Sequence, residues 1–417
     1  MRRAALLTTV TLLPFLAATL AAACGGDDNG TTHGVVIGDD SGQSSDGTVI
    51  PRSDGAAPEQ DGATPDDSST GTDSGSCTTG TLALVGGGVS GSFASVATGS
   101  GAFTAQNFAT DPIAALPAVI AFGAGFQAVF HAAGSNALLS TGFASGTWSA
   151  PATIAGTLVR EAPTLAATGS TLHVVYQAND DAGADQFKYF HGTYATSWTA
   201  GDPVGAGAGQ SNGPHTLGAA GLAAELVTGQ VGGDKNIYAR SFTTAWQAAL
   251  QVGTGVGSND GNLGTAAHVV AMTGGTAELL AIYTRDADFK IMSTARAGGT
   301  WATTPTLSNA DAFTTEPFQA AALPGGKAVV AWRGGDTHGY ITVYDGTNWS
   351  APFAVAPFAI SSAPGVSAGN CGSEIVAAYA KLAGTVELVR TDGATLQTPV
   401  AVAGATNVKF VAIAVSP

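Results

Sequence analysis

The sequence predicts an all-β fold, a seven-bladed β-propeller whose last blade is closed by the N- and C-terminal strands. Three observations predict it: a strand-and-turn composition, a repeat near fifty residues marked twice in each unit, and two half-blades at the ends of the array.

The composition sets the fold class. Glycine is 58 of 417 residues and only 11% are charged, so charged helix formers are scarce. Between Cys77 and Pro417, long runs with apolar residues at helical spacing are missing. Short Val-, Ala-, Phe- and Tyr-rich runs bounded by Gly, Pro, Asn and Asp fill that stretch instead, which is the pattern of strands and turns.

The first repeat marker is an aromatic after a short polar turn: Trp148, Trp198, Trp246, Trp301 and Trp349, separated by 50, 48, 55 and 48 residues. Phe103 stands 45 residues before the first and Leu396 stands 47 after the last, giving seven marks. The second marker is the residue that opens an apolar run: Pro117, Pro163, Pro214, Pro317 and Pro364, with Thr265 and Asn407 in the equivalent places of the other two units. Its steps are 46, 51, 51, 52, 47 and 43 residues. Proline suits the first residue of a strand, where its missing N–H costs no ladder bond.

Between the two markers each unit carries a more apolar second strand, for example Leu172–Tyr176, Lys327–Trp332 and Glu374–Tyr379. An alternating third strand precedes the turn, as in Tyr340–Tyr344. At the C-terminus, Asn407–Val415 reads as a first strand with no blade to follow it. Thr81–Val85 reads as a second strand with nothing before it. Together they make one blade, and a ring so closed leaves no long open sheet edge.

Outside the repeats, residues 1–23 read as an export signal: Arg2 and Arg3, an uncharged run from Ala4, and small residues up to Ala23. A membrane-spanning helix is the competing reading, but Pro14 interrupts the run and no basic stop-transfer cluster follows. The Leu20-Ala21-Ala22-Ala23-Cys24 ending resembles the bacterial lipoprotein signal, with its leucine one place further out than usual. That resemblance implies lipidation of Cys24 and, with Gly25 rather than an acid next, the outer membrane or cell surface. Residues 24–76 are a Gly-, Ser-, Thr- and Asp-rich linker, with eleven acids against Arg52 over 25–76. So polar and self-repelling a tract stays unfolded and acts as a spacer.

The propeller spans 77–417, and there nineteen acids face twelve bases. Without a basic stripe to neutralise phosphates, nucleic acid is not an expected partner. The membrane is reached through the lipid anchor only. No metal-ligand spacing, phosphate-cradling loop or nucleophile elbow stands out, so no cofactor and no metal are expected. Strand parity puts Cys77 and Cys371 on the same rim of neighbouring blades, where in an exported protein a disulfide would staple the ring; two free buried thiols are the alternative.

Parity also gathers the loops that join fourth to first and second to third strands on the opposite rim. Charge collects there, and the candidate ligand-binding residues are Arg160, Arg285, Asp286, Trp332, Arg333, Asp336 and His338. Each also has a plain reading as a solvated loop ion pair or, for the tryptophans, as blade core. Asp180, Asp181 and Asp185 fit a polar turn better than a cation loop.

The Gly-x-Trp-Ser-x-Pro turn around Trp148 and Trp349 resembles propellers of the sialidase-like group and of the fucose-binding bacterial and fungal lectins. The sialidase Asp-box, Ser-x-Asp-x-Gly-x-x-Trp, has its nearest counterpart in Asp345-Gly346-Thr347-Asn348-Trp349, where the acid adjoins the glycine. The resemblance implies a surface-displayed propeller that binds a glycan or another extracellular partner through its charged rim. The second reading is a sialidase-type glycoside hydrolase, which needs three arginines, a Tyr nucleophile with a Glu partner and an Asp acid/base. Arg160, Arg285 and Arg333 lie on the rim with Tyr283 near it, but no Tyr–Glu pair is evident in the sequence. A structural surface protein is the third.

Overall fold

The computed structural model describes residues 80–99, 101–108, 112–155, 158, 159, 161–179, 188–199, 201–204, 215–229, 236–254, 267–285, 288–308, 312, 314, 316–369 and 373–416. The export signal, Cys24, the linker, Cys77, Cys371, Arg160 and Asp286 lie outside the described residues.

The described residues form seven antiparallel sheets, the blades of a propeller. The second blade has first, second and third strands at Ala118–Phe122, Gly125–His131 and Leu138–Ala144. The third has Thr164–Thr168, Thr171–Asn179 and Lys188–Tyr194. The fourth has His215–Ala220, Ala223–Gly229 and Asn236–Phe242. The fifth has His268–Ala271, Leu279–Thr284 and Ile291–Ala297, the sixth Gln319–Leu323, Lys327–Arg333 and Gly339–Tyr344, and the seventh Gly365–Ala368, Ile375–Ala380 and Val386–Thr391. A shorter fourth strand finishes each, such as Leu250–Thr254 or Val400–Ala403.

The two half-blades meet as the repeat requires. Phe410–Ser416 pairs antiparallel with Thr81–Gly88 in a register running from Thr81 opposite Ser416 to Gly87 opposite Phe410. Gly91–Thr98 and Gln106–Phe108 complete this closing blade. The glycine run at its end has a steric cause: a Cβ on Gly88 would meet the Asn407 carbonyl oxygen at 2.2 Å, so only glycine lets the backbones approach. A second stitch was not legible in sequence. On the way from third to fourth strand, Phe103–Thr104 leaves the closing blade and pairs in parallel with Val402 and Ala403 of the seventh.

The marker residues acquire a physical role. Pro117, Pro163 and Pro364 directly precede first strands. Trp148, Trp198, Trp246, Trp301, Trp349 and Leu396 each sit opposite the end of the third strand of their own blade. One backbone bond then recurs, the residue after the mark donating to that strand: Ser149 to Gly142, Thr199 to Thr193, Gln247 to Ser241, Ala302 to Ala295, Ser350 to Val343 and Gln397 to Arg390, all 2.8–2.9 Å.

This turn aims the ring at the preceding blade. Trp148 packs with Ala83, Val85 and Ala94 of the closing blade, and Trp349 with Leu280 and Ile282 of the fifth. The Trp301 indole N–H donates to Glu225 at 3.4 Å and that of Trp349 to Ser293 at 3.1 Å, again one blade back. Phe103 likewise enters the core shared with the seventh blade, beside Val376 and Leu388. Second strands are sandwiched between neighbours on both faces, so Leu279–Thr284 and Ile375–Ala380 are buried throughout. That burial explains why the sequence shows them as continuous apolar runs rather than alternating ones.

Candidate functional site

First strands are the innermost, and all seven line one axial pocket of about 250 Å³. Their N-terminal ends, where the proline markers stand, form its wall, so the pocket opens on the rim of the fourth-to-first and second-to-third loops. Thr81 begins the second strand of the closing blade and therefore enters from the other rim.

Most of the wall is small or apolar, including Leu116, Pro117, Ala162, Pro163, Pro317 and Ala320. Six polar side chains interrupt it: Thr164, Thr216 and the larger Glu161, His215, His268 and Gln319. Gln319 is committed, donating from Nε2 to the Val411 carbonyl at 2.8 Å and so tying the sixth blade to the closing one. His215 has a side chain only 2% exposed, with Glu161 Oε2 at 3.8 Å from Nδ1, beyond hydrogen-bond reach. Neither ring nitrogen makes a hydrogen bond of good geometry. Burial pushes its pKa down to about 4, offset in part by the nearby Ala162 backbone. His268 is also held at about 4, by burial first and against the pull of the Phe318 backbone. Both imidazoles are neutral at pH 7.

The outer loops of the same rim carry the charged residues expected there. Arg285 Nε donates to Asp288 Oδ1 at 2.8 Å and its Nη2 to Oδ2. That fork, spanning three residues of one loop, holds the Asp288 carboxyl down at about 2. Arg333 Nε donates to the Ile360 carbonyl at 2.9 Å, and Nη1 stands 3.7 Å from Glu316. Thr314 joins the two loops: its N–H donates to the Phe289 carbonyl at 3.0 Å and its hydroxyl to the Arg333 carbonyl at 3.4 Å. Asp336 accepts from the Tyr340 hydroxyl at 2.5 Å and from the His338 N–H at 3.1 Å, and these bonds, Tyr340 first, keep its pKa low. The His338 ring lies against it, with Nδ1 at 3.1 Å.

Five of the seven rim candidates are thus described, on two neighbouring blades. Trp332 does not belong with the rest. It is 2% exposed, packed among Phe318, Val330 and Tyr344 and stacked on Tyr340 at 5.8 Å, so it offers no open ring face to a ligand. Its position in the second strand, which is buried on both sides, is the reason.

The tyrosine nucleophile a sialidase mechanism would need is not supplied by Tyr283. Tyr283 is fully buried, and burial pushes its phenol up to about 12. One Tyr–Glu pair that the sequence did not reveal does exist, Tyr379 donating to Glu387 at 3.1 Å. Burial, and then the carboxylate, raise this phenol well above its ordinary value, the direction opposite to that of an activated nucleophile. Glu387 is shared with Lys381, whose ammonium lies 4.9 Å over the Phe358 ring.

No protein-family model matches the chain, and no curated protein matches it in sequence. Solved structures do. A fungal lectin of Aleuria aurantia, described as a six-bladed propeller with a novel fucose recognition mode, is similar at 15% identity and TM-score 0.49, covering 69% of this chain and 96% of its own. AofleA from Arthrobotrys oligospora is similar at 11% identity and TM-score 0.48, covering 72% of this chain and 90% of its own. The NanB sialidase of Streptococcus pneumoniae is similar at 9% identity and TM-score 0.47, covering 68% of each chain. At such identities and scores the likeness is one of propeller architecture and carries no ligand or activity across.

Proposed function

We propose that this protein is an exported, lipid-anchored binding propeller that presents the rim around its axial pocket to a neutral glycan or another extracellular partner. One observation carries the reading: the rim combines an open axial pocket of one-ring size with loop arginines already held by protein partners, Arg285 by Asp288 and Arg333 by Ile360 and Glu316. Such a surface is pre-ordered for hydrogen bonding, and pre-ordering lowers the entropic cost of binding. A carboxylate-bearing sugar would have to displace an existing ion pair at each arginine, which favours neutral glycans over sialosides.

A tether leaving Thr81 on the opposite rim, with Cys24 in the membrane, would turn this face outward. The direct experiment is a glycan array probed with the intact protein, alongside a hydrolysis assay on aryl sialosides. Retention of neutral glycans without sialoside hydrolysis is the expected outcome. Sialoside turnover would establish the hydrolase reading instead, and an array without any binding would remove the glycan reading.

A further inference from the structure

We propose that the axial pocket is a binding site for one uncharged, hydroxyl-bearing ring of monosaccharide size, recognised by Glu161, His215 and His268. The inference rests on the glycan-binding reading and assigns it a subsite at the propeller axis, away from the loop arginines.

Size comes first. At about 250 Å³ the pocket falls below the roughly 300–1,000 Å³ typical of drug-sized guests. A single ring fits; an oligosaccharide has to leave its remaining units on the rim.

Chemistry narrows the class further. Buried polar groups are nearly always hydrogen-bonded, yet neither ring nitrogen of His215 makes a hydrogen bond of good geometry, with only the Ala162 backbone pulling on the ring, although its side chain is 2% exposed. A neutral imidazole carries one donor and one acceptor, and the Glu161 carboxylate accepts only. A guest that matches this set has to donate and accept at neighbouring positions. A hydroxyl does both. An ammonium offers donors alone and can accept from neither imidazole. A carboxylate accepts alone and would face Glu161, the one formally charged side chain among the described lining residues.

Position supplies the remaining argument. His215 opens the first strand of the fourth blade and His268 that of the fifth, and the Val269 N–H donates to Thr216 Oγ1 at 3.0 Å, locking the two strands at the axis. Glu161 stands 3.8 Å from His215 Nδ1, so a hydroxyl held by the carboxylate lies within reach of the imidazole after a shift of about an ångström. Pro117, Pro163 and Pro317 give the wall C–H surfaces of the kind that pack against the apolar face of a pyranose.

The test uses the full-length protein with isotope-labelled histidine, followed by side-chain NMR during titration with neutral pentoses and hexoses. N-acetylneuraminic acid and ethanolamine serve as anionic and cationic probes. The proposal expects at least one neutral sugar to shift the His215 and His268 resonances saturably, with neither charged probe doing so. Glu161→Gln and His268→Phe should each weaken that sugar at least tenfold. Failure of every neutral sugar to move these resonances, or saturable binding of a charged probe there, overturns the site; because this is read on the unaltered protein, a variant that fails to fold does not decide the matter. If a glycan found on the array binds both variants with unchanged affinity, the axial site falls while rim recognition stands.

Discussion

Closure of the ring by strands from opposite ends of the domain can be tested by a double-mutant cycle on Leu84 and Ile413. These residues are direct cross-strand partners, and both belong to the core shared by the closing and seventh blades. Leu84 is fully buried and Ile413 is 6% exposed, so Leu84→Ala and Ile413→Ala should each cost about 2–5 kcal/mol. Because the two truncations would open one shared cavity, the double mutant should depart from additivity by about 0.5–3 kcal/mol. Urea denaturation followed by tryptophan fluorescence measures all four corners. Removing residues 406–417 is the harsher version: it takes away Phe410, Val411 and Ile413, whose burial at about 1.5–3 kcal/mol each totals roughly 5–9 kcal/mol, comparable to the whole stability of a domain. The truncated protein should aggregate through two exposed sheet edges. Additive single mutants together with a stable, monomeric truncation would refute the closure.

Three further outcomes follow from the same structure. Trp349→Ala should cost about 3–5 kcal/mol in urea denaturation, since the ring fills the core of the preceding blade, whereas Leu396→Ala, at a side chain 36% exposed, should cost less than about 1 kcal/mol; equal costs would deny the inter-blade role of the turn aromatic. His191, His215 and His268 have folded pKa values lowered to about 4, by burial first in each case. The unfolded chain, with histidine near ~6.5, therefore binds protons first, so stability is full above pH ~6.5 and falls as pH drops toward 4, by on the order of 3 kcal/mol for His215 alone; a flat profile across that window would contradict the burial. Cys24→Ala should abolish lipid labelling and release the protein from the membrane fraction, and non-reducing peptide mapping should find Cys77 joined to Cys371; a cleaved product that stays membrane-bound, or two free thiols, would count against these proposals.

What was legible in the sequence is what the repeat dictates. The tryptophan turn recurs because each blade needs a ring to seal it to its neighbour, and the proline recurs because each first strand begins without a ladder partner for its N–H. Individual polar contacts left no such periodic signal. Tyr379 and Glu387 are paired by a hairpin register that spacing alone does not fix. His268 and Gln319 stand among apolar residues and converge on the axis only once the ring has closed. Trp332 misled for the converse reason: adjacency to the charged Arg333-to-His338 loop suggested exposure, while its place in a strand covered on both faces decided burial.

The face that binds is the central claim, and one comparison tests it most directly. For whichever neutral glycan the array selects, affinity is measured by calorimetry for the intact protein, for the rim variant Arg285→Ala/Arg333→Ala, and for Glu278→Ala/Arg296→Ala, which removes an ion pair of 3.0 Å beside the first-to-second turns of the opposite rim. The account predicts a loss of about 1–3 kcal/mol per arginine in the first variant and unchanged affinity in the second. Equal affinity in all three proteins, or a loss confined to the second, would contradict it.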